Sequence, residues 1–521
     1  MRKATWKRIV AGALSAVCLL SISACKNDQQ QGQQTGDGKL FAQTAELSLL
    51  TSSNASWPYD ENWKVWQYFQ EATGAKLTIQ AIPDSDFETK LSLMMSSPEK
   101  LPDMIHLQDK RIVDQYATDG AFVAIEDHID EMPDYTKFFD SIPAEEKEDL
   151  MNQRRSADGK IYQTPAWGHE NAAGLMTWMY RKDIFEQHGL EVPKTMDEIY
   201  EICKKLKAAY PNSYPLSLRD GVAKIDLISP SWKKYFSTKL YYDYEQDRWA
   251  YGAAENTMKD IAEYFRKLHA EGLVTPDFVT ITTKSWEELM STDRGFISMD
   301  YIVRLDYFNV PNRKVNEKYT WAVMEPPVAD TQNGYAKVTK FNLDPSGFVV
   351  CNTGRKENIT NAFRVLNWMF TDEAAELLSW GKEGETYEMK DGKKQYILGE
   401  DEIVLSKYGI GTPGTYLRMD REAASRANSE ETQAQIDAAA SYVEDHSNPC
   451  RWLALLPEEQ KRAEELRDAI NTYTDEQLAK FFMDMLPMSE WDGFQKNLRE
   501  MGLEEYIGIY DTAYRRAMNE K

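Results

Sequence analysis

Cysteine is scarce in this chain: five in 521 residues, two of them, Cys18 and Cys25, near the N-terminus. The other three, Cys203, Cys351 and Cys450, form an odd and widely spaced set, which implies neither a disulfide framework nor a zinc site. Positive charge is also deficient, with 61 Lys and Arg against 84 Asp and Glu and a net charge of −23. An acidic surface argues against nucleic-acid partners and against adhesion to anionic headgroups, and it disfavours polyanionic ligands unless a local basic pocket intervenes. There is no GxxxxGK[ST] phosphate loop, no nucleophile elbow and no metal-ligand cluster. His169-Glu170 starts an HExxH-like string, but Ala173 stands where the second His belongs. Gly409-Ile410-Gly411-Thr412-Pro413-Gly414 fits GxGxxG on paper, yet Pro413 interrupts it and no long helix opens from it, so it reads as a turn. No cofactor and no metal are expected.

What is present begins at the N-terminus. Arg2, Lys3, Lys7 and Arg8 precede an apolar stretch, Ile9 to Leu20, and then Leu19-Leu20-Ser21-Ile22-Ser23-Ala24-Cys25. Small residues at Ser23 and Ala24 suit a signal-peptidase site. The segment resembles a bacterial lipobox, whose Cys thiol is diacylated and becomes the new N-terminus. The alternatives are an ordinary secretory signal or a membrane anchor, and the apolar stretch is shorter than the about 20 residues a spanning helix needs. Residues 1–24 therefore read as a lipoprotein signal peptide, and 25–44, rich in Gln and Gly, as a disordered tether. Loss of four basic residues with the signal takes the charge from −23 to −27. A chain held by lipid at Cys25 on the outer face of the cell membrane has no routine access to ATP or nicotinamide cofactors.

The mature body alternates. Ala45 to Thr51 reads as a strand and Asp60 to Thr73 as a helix, with Trp63, Trp66 and Phe69 on one face and Gly74 ending it. Lys76 to Ile82 reads as a strand, Asp84 to Ser96 as a helix and Asp103 to Leu107 as a strand, a grammar of parallel βαβ units. It returns with a strand at Gly174 to Tyr180 and a helix from Thr195, where Thr195 and Glu198 form a capping box. Two such regions imply two lobes with a cleft between them. Beyond about residue 415 the chain reads as largely helical.

An ordered set of short motifs then becomes specific. Leu101-Pro102-Asp103, Asp158-Gly159-Lys160-Ile161-Tyr162 before Pro165, Arg181-Lys182-Asp183 and Gly189-Leu190 lead to Pro193-Lys194-Thr195. Glu271-Gly272-Leu273, Pro276-Asp277-Phe278, Trp286, Asn367-Trp368, Gly381 to Glu385 and Asp391-Gly392-Lys393 follow, and Trp491-Asp492, Met501-Gly502-Leu503 and Tyr510 to Tyr514 complete it. In this order, over nearly all of the mature chain, they resemble the large extracellular solute-binding lipoproteins of carbohydrate ABC transporters. The resemblance implies an α/β, two-lobed periplasmic-binding-protein-like fold (type II), with mixed α/β lobes joined by a hinge and a largely helical C-terminal region. It places residues 45–165 plus about 320–375 in the first lobe, and 166–319 plus about 376–521 in the second. It implies a monomer that takes an oligosaccharide ligand to ABC permease subunits, bound to the membrane through lipid and not to nucleic acid. Some relatives insert a calcium loop after the helix that follows Thr195. Here that region is Tyr210-Pro211-Asn212-Ser213-Tyr214-Pro215, so no calcium is expected. Asp243 to Asp247 starts like an EF-hand but has Arg248 in place of Gly and Ala254 in place of Glu, and reads as a hairpin turn between Tyr241–Tyr242 and Trp249–Tyr251.

Sugar rings need flat apolar faces, which 14 Trp and 28 Tyr can supply, although most aromatics serve as core. Position separates the candidates. Asn54, Trp57 and Tyr59 lie in the loop after the first strand, and Gln108 and Asp109 follow the third, where ligands of doubly wound folds are met. Asp109 serves equally as a helix cap. Trp167 sits in the crossover between the lobes. Trp232, Tyr301 after an apparent strand, and Trp380 before Gly381 are weaker candidates. Arg219 beside Asp220 fits hydroxyls or a uronate, or a structural ion pair. Trp63, Trp66 and Trp368 read as core, as does Cys203, and Glu145 to Asp149 as a solvated helix face. Competing readings are a secreted glycoside hydrolase or lyase, using two cleft carboxylates, and a peptide-binding transport lipoprotein.

Overall fold

A computed structural model describes residues 39–117, 119–156, 158–167, 176–329, 334–339, 346–399, 402–444, 453 and 455–519. The signal segment, Cys25, most of the tether, His169, Glu170 and Cys450 lie outside the described residues.

The chain opens with β1 (Ala45–Ser53), α1 (Lys64–Thr73), β2 (Ala75–Pro83), α2 (Asp84–Met95), β3 (Met104–Leu107) and α3 (Lys110–Ala117). α1 stops because Gly74 takes a left-handed conformation, φ 73°, and its N–H caps Gln70 O. β1 pairs in parallel with β2, from Ala45 opposite Ala75 to Ser53 opposite Pro83, and with β3 on its other side. Next to β3 lies a strand from far along the chain, Gly347–Cys351, which runs antiparallel and also pairs with Phe122–Val123 and Gln163–Pro165. Only glycine fits at 347, because a Cβ there would sit 1.9 Å from Thr164 O. The sheet is mixed and covered on both faces, so Met104–Leu107 and Gly347–Cys351 are buried along their whole length. Leu49, Met104, Phe348 and Val350 face one core, while Leu50, Ile105, Val349 and Cys351 face another.

A second sheet has Met176–Arg181 at its centre, flanked antiparallel by Ile297–Tyr301 and Trp321–Val323. Its core gathers Trp178, Trp286, Phe308 and Trp321 with the helix Met196–Ala209, whose Cys203 is fully buried. The capping box forms as expected: Thr195 Oγ1 accepts from Glu198 N at 3.1 Å, and Glu198 Oε2 accepts from Thr195 N at 3.1 Å. The hairpin also forms, from Leu240–Asp243 and Arg248–Tyr251, with Asp243 Oδ1 accepting from Glu245 N and Gln246 N in its turn. The C-terminal helices Pro457–Phe482, Trp491–Glu500 and Leu503–Asn519 pack on this same core through Ile470, Phe481, Trp491 and Leu503.

The apolar packing divides the chain differently from the expected boundaries. Leu378, Trp380, Tyr396, Tyr408, Leu417 and Ala424 all join the first core, whereas Trp321 and Met324 join the second. The reason is nonlocal: Trp167 N donates to Leu417 O at 2.7 Å and Met419 N donates to Trp167 O at 2.8 Å, tying residues near 417–419 to the end of the first sheet. The expected tether also ends early, since Leu40 and Phe41 rest on the first core and Phe41 N donates to Thr73 O. The segment 409–414 is a turn, with Gly409 closing the short helix Val404–Tyr408.

Candidate functional site

The carboxyl ends of β1 and β3 carry the loops that face the second sheet's unit. After β1 the loop is held by its own polar groups. Asn54 Oδ1 accepts from Ser56 N at 2.9 Å, Asn54 Nδ2 donates to Asp84 Oδ2 at 3.2 Å, and Ser53 Oγ accepts from Tyr59 N at 3.0 Å. This geometry sends Ser56 and Trp57 across to the helices Thr283–Met290 and Arg304–Arg313. Ser56 Oγ donates to Glu287 Oε1 at 2.6 Å. Arg304 Nη1 donates to the same carboxylate oxygen at 2.6 Å, and the Tyr307 hydroxyl donates to Glu287 Oε2 at 3.0 Å. The Arg304 guanidinium also lies 5.5 Å from the centre of the Trp57 ring, within cation–π range.

Behind Arg304 stands Asp300, at the end of the strand Ile297–Tyr301 and wholly buried. It accepts from Arg219 Nε at 2.7 Å, from Arg219 Nη2 at 3.0 Å and from Lys224 Nζ at 3.3 Å. Burial pushes its carboxyl up, but Lys224, Arg219 and Arg304 outweigh that and hold it below the usual carboxylate value. Asp300 is thus an ionised hub for three cations at the edge of the seam.

The expected site residues fall into two groups. Trp57 lies at the seam against Arg304, and Asn54, Gln108, Arg219 and Tyr301 stand at strand ends or in the loops beside them. Trp57 is half-buried and belongs to none of the three apolar cores. Gln108 is exposed and donates to Ser52 Oγ at 3.1 Å. Tyr301 sits opposite Met176 in the second sheet. Arg219 pairs with Asp220 at 3.0 Å, the structural alternative given for it, and also with Asp300 at 2.7 Å, and its side chain is 11% exposed. Asp109 is likewise the alternative: its carboxylate caps α3 by accepting from Arg111 N at 2.9 Å. Burial raises that carboxyl, and Arg111 outweighs it and lowers the value.

The other group packs inward. Tyr59 leans on Trp63 with ring centres 5.6 Å apart and joins the periphery of the first core. Trp167 is half-buried, edge-on to Phe138 at 5.9 Å. Trp232 packs edge-on to Tyr264 beside the second core. Trp380 corrects the expectation most clearly. It is wholly buried, stacks on Tyr396 at 4.9 Å and donates its indole N–H to Asp420 at 3.1 Å, so no face is left for a ligand. Trp63 and Trp368 are core, as read.

Residue-level reading missed Ser56, Glu287 and Arg304. Arg304 opens a helix directly after a strand end, and Glu287 follows Trp286, but each reads as ordinary surface charge until the fold brings them together. Among the described residues no group of three His, Cys, Asp or Glu side chains is placed to hold a metal ion.

Residues 61–376 match the family described as bacterial extracellular solute-binding protein. The chain belongs to that family. Two curated relatives match over most of this solute-binding protein's length. It is 23% identical to the fructooligosaccharide ABC transporter substrate-binding protein FusA of Streptococcus pneumoniae, covering 99% of this chain and 98% of that one. It is 23% identical to lipoprotein LipO of Bacillus subtilis over 72% of each chain. Among solved structures, the alginate-binding protein AlgQ2 superposes with a TM-score of 0.77 at 20% identity, over 92% of this chain and 99% of that one, and so shares the two-lobed fold. Among the described residues no helix is long and apolar enough to cross a membrane.

Proposed function

We propose that this solute-binding protein captures an oligosaccharide between its two lobes and delivers it to the permease subunits of an ABC transporter. The observation that carries the reading is Trp57: a large aromatic at the seam between two separately cored units, outside every apolar core and aimed at the opposite lobe. The lobes are taken as 45–167 with 346–427, and 176–329 with 432–514, following the cores. Asn54, Trp57, Gln108 and Tyr301 are the side chains proposed to meet the ligand, which joins both lobes and so favours the closed population.

The protein is proposed to act without turnover. A glycosidase acid needs a carboxyl whose pKa is raised so that it holds a proton near neutral pH. The seam carboxylates are instead engaged by cations, and that of Asp300 is held low. The test is incubation of the purified full chain in detergent with plant and host oligosaccharides, followed by product analysis. Binding with the glycans recovered intact is expected; sustained cleavage overturns the reading.

Lipid on Cys25 is proposed to keep the loaded body beside its permease on the outer face of the membrane. Cys25→Ser is expected to move the protein from the membrane pellet to the medium and to abolish most uptake, with its affinity for oligosaccharide unchanged. Retention of the variant in the pellet would contradict the anchor.

A further inference from the structure

Family membership leaves open whether the glycan is neutral or acidic, since fructooligosaccharide is uncharged and alginate is a polymer of uronates. The pairing of charges at the seam bears on that choice. Two donors from opposite lobes lie buried there without an acceptor, Trp57 Nε1 and Arg304 Nε. Arg304 Nε is 3.4 Å from Asp300 Oδ1, but not aligned for a hydrogen bond, and its side chain is 4% exposed. An unsatisfied buried N–H is costly, so both groups call for oxygen acceptors that a ligand brings as the lobes close on it. Any glycan has such oxygens, and charge decides which kind is favoured.

The cations at the seam are already matched. Arg304 meets Glu287 and Asp300, Asp300 also holds Arg219 and Lys224, and Arg219 reaches Asp220 at 3.0 Å. Three cations face three carboxylates. A ligand carboxylate placed on Arg304 would gain hydrogen bonds but stand beside Glu287 and Asp300 in a desolvated seam, where like charges repel strongly. The chain's net charge of −23 further opposes its approach. Resting on the oligosaccharide reading above, we propose that the unit taken between Trp57 and Arg304 is an uncharged sugar, and that Glu287 and Asp300 set this selectivity by neutralising Arg304.

The test is a glycan array probed with the full chain in detergent, carrying neutral oligosaccharides and uronate-bearing counterparts of the same backbones. At physiological salt the neutral member of each bound pair is expected to bind at least about tenfold tighter. Glu287→Gln, which keeps the shape and removes the charge, is expected to narrow that ratio about fivefold by tightening the uronate. Asp220→Asn, at a half-exposed position, is expected to narrow it by a smaller factor and keeps the question open to test where Glu287→Gln does not fold. Equal or tighter binding of the uronate members overturns the inference and leaves oligosaccharide capture standing, as does a ratio unchanged in folded variants. Failure to bind any glycan of either kind overturns the oligosaccharide reading itself, and this inference with it.

Discussion

Trp57→Ala is expected to weaken oligosaccharide binding by about 30-fold or more, the range of a central aromatic hot spot, while leaving the melting temperature of the unliganded protein nearly unchanged. The expectation rests on the contrast between Trp57 and its neighbours. Trp63 is 3% exposed, and its indole N–H donates to Ser406 O, so its loss would open a cavity and orphan a carbonyl. Trp57 joins no core, and its indole N–H has no partner to leave behind. Its known contact is the Arg304 guanidinium across the seam. With that cation against the ring, Trp57→Phe should retain more affinity than Trp57→Ala, because a smaller aromatic face still stacks on a sugar and on Arg304. Calorimetric titration beside thermal unfolding separates the outcomes: a large fall in melting temperature with unchanged affinity would make Trp57 a structural residue.

Local patterns in the sequence carried much of the fold. The strand β1, the left-handed stop at Gly74, the Thr195 capping box and the hairpin around Asp243 all depend on neighbours a few residues away, and each forms. What was not legible depends on distant partners. Gly347–Cys351 enters the first sheet antiparallel beside β3, a pairing that no periodicity announces. Residues 376–427 pack on the first core through partners distant in sequence, as where the Tyr68 hydroxyl of α1 donates to Glu385 at 3.1 Å and Met419 N donates to Trp167 O, while Trp380 finds Tyr396 and Asp420 in place of a ligand. Trp380 and Gly381 do follow a helix end, that of Asp372–Ser379, but burial is decided by what folds over that end.

The candidate site shows the same split. Trp57 was legible because Ser, Asn and Pro around it exclude a strand and because strand ends in such folds face the ligand. Glu287 and Arg304 were not, since a charged residue on an amphipathic helix has the same local pattern whether it faces water or a second lobe. Arg304 is 4% exposed only because Asp300, Glu287 and Ser56 surround it.

Asp300→Ala is expected to be the most destabilising substitution at the seam, by about 3–5 kcal/mol, because it strands buried cations without their counter-charge. Arg219 and Lys224 are 11% and 0% exposed at their side chains, and both bond to this carboxylate, while Arg304 stands 3.4 Å away. The sign of the pH dependence follows from the lowered folded-state value. A carboxyl held below its unfolded value near 3.9 contributes fully above that pH and loses its contribution as pH falls through the folded value. The stability gap between wild type and variant should therefore be flat from neutral pH down to about 4 and close only below it. Urea unfolding across that range measures the gap. Adding Lys224→Met to Asp300→Ala should recover part of the loss, since it removes one stranded charge, whereas an additive double variant, or a single-variant loss under about 1 kcal/mol, would mean that water reaches the cluster and screens it. The two substitutions thus act on opposite quantities: Trp57→Ala is read in affinity at constant stability, and Asp300→Ala in the stability of the lobe that holds Arg304 in place.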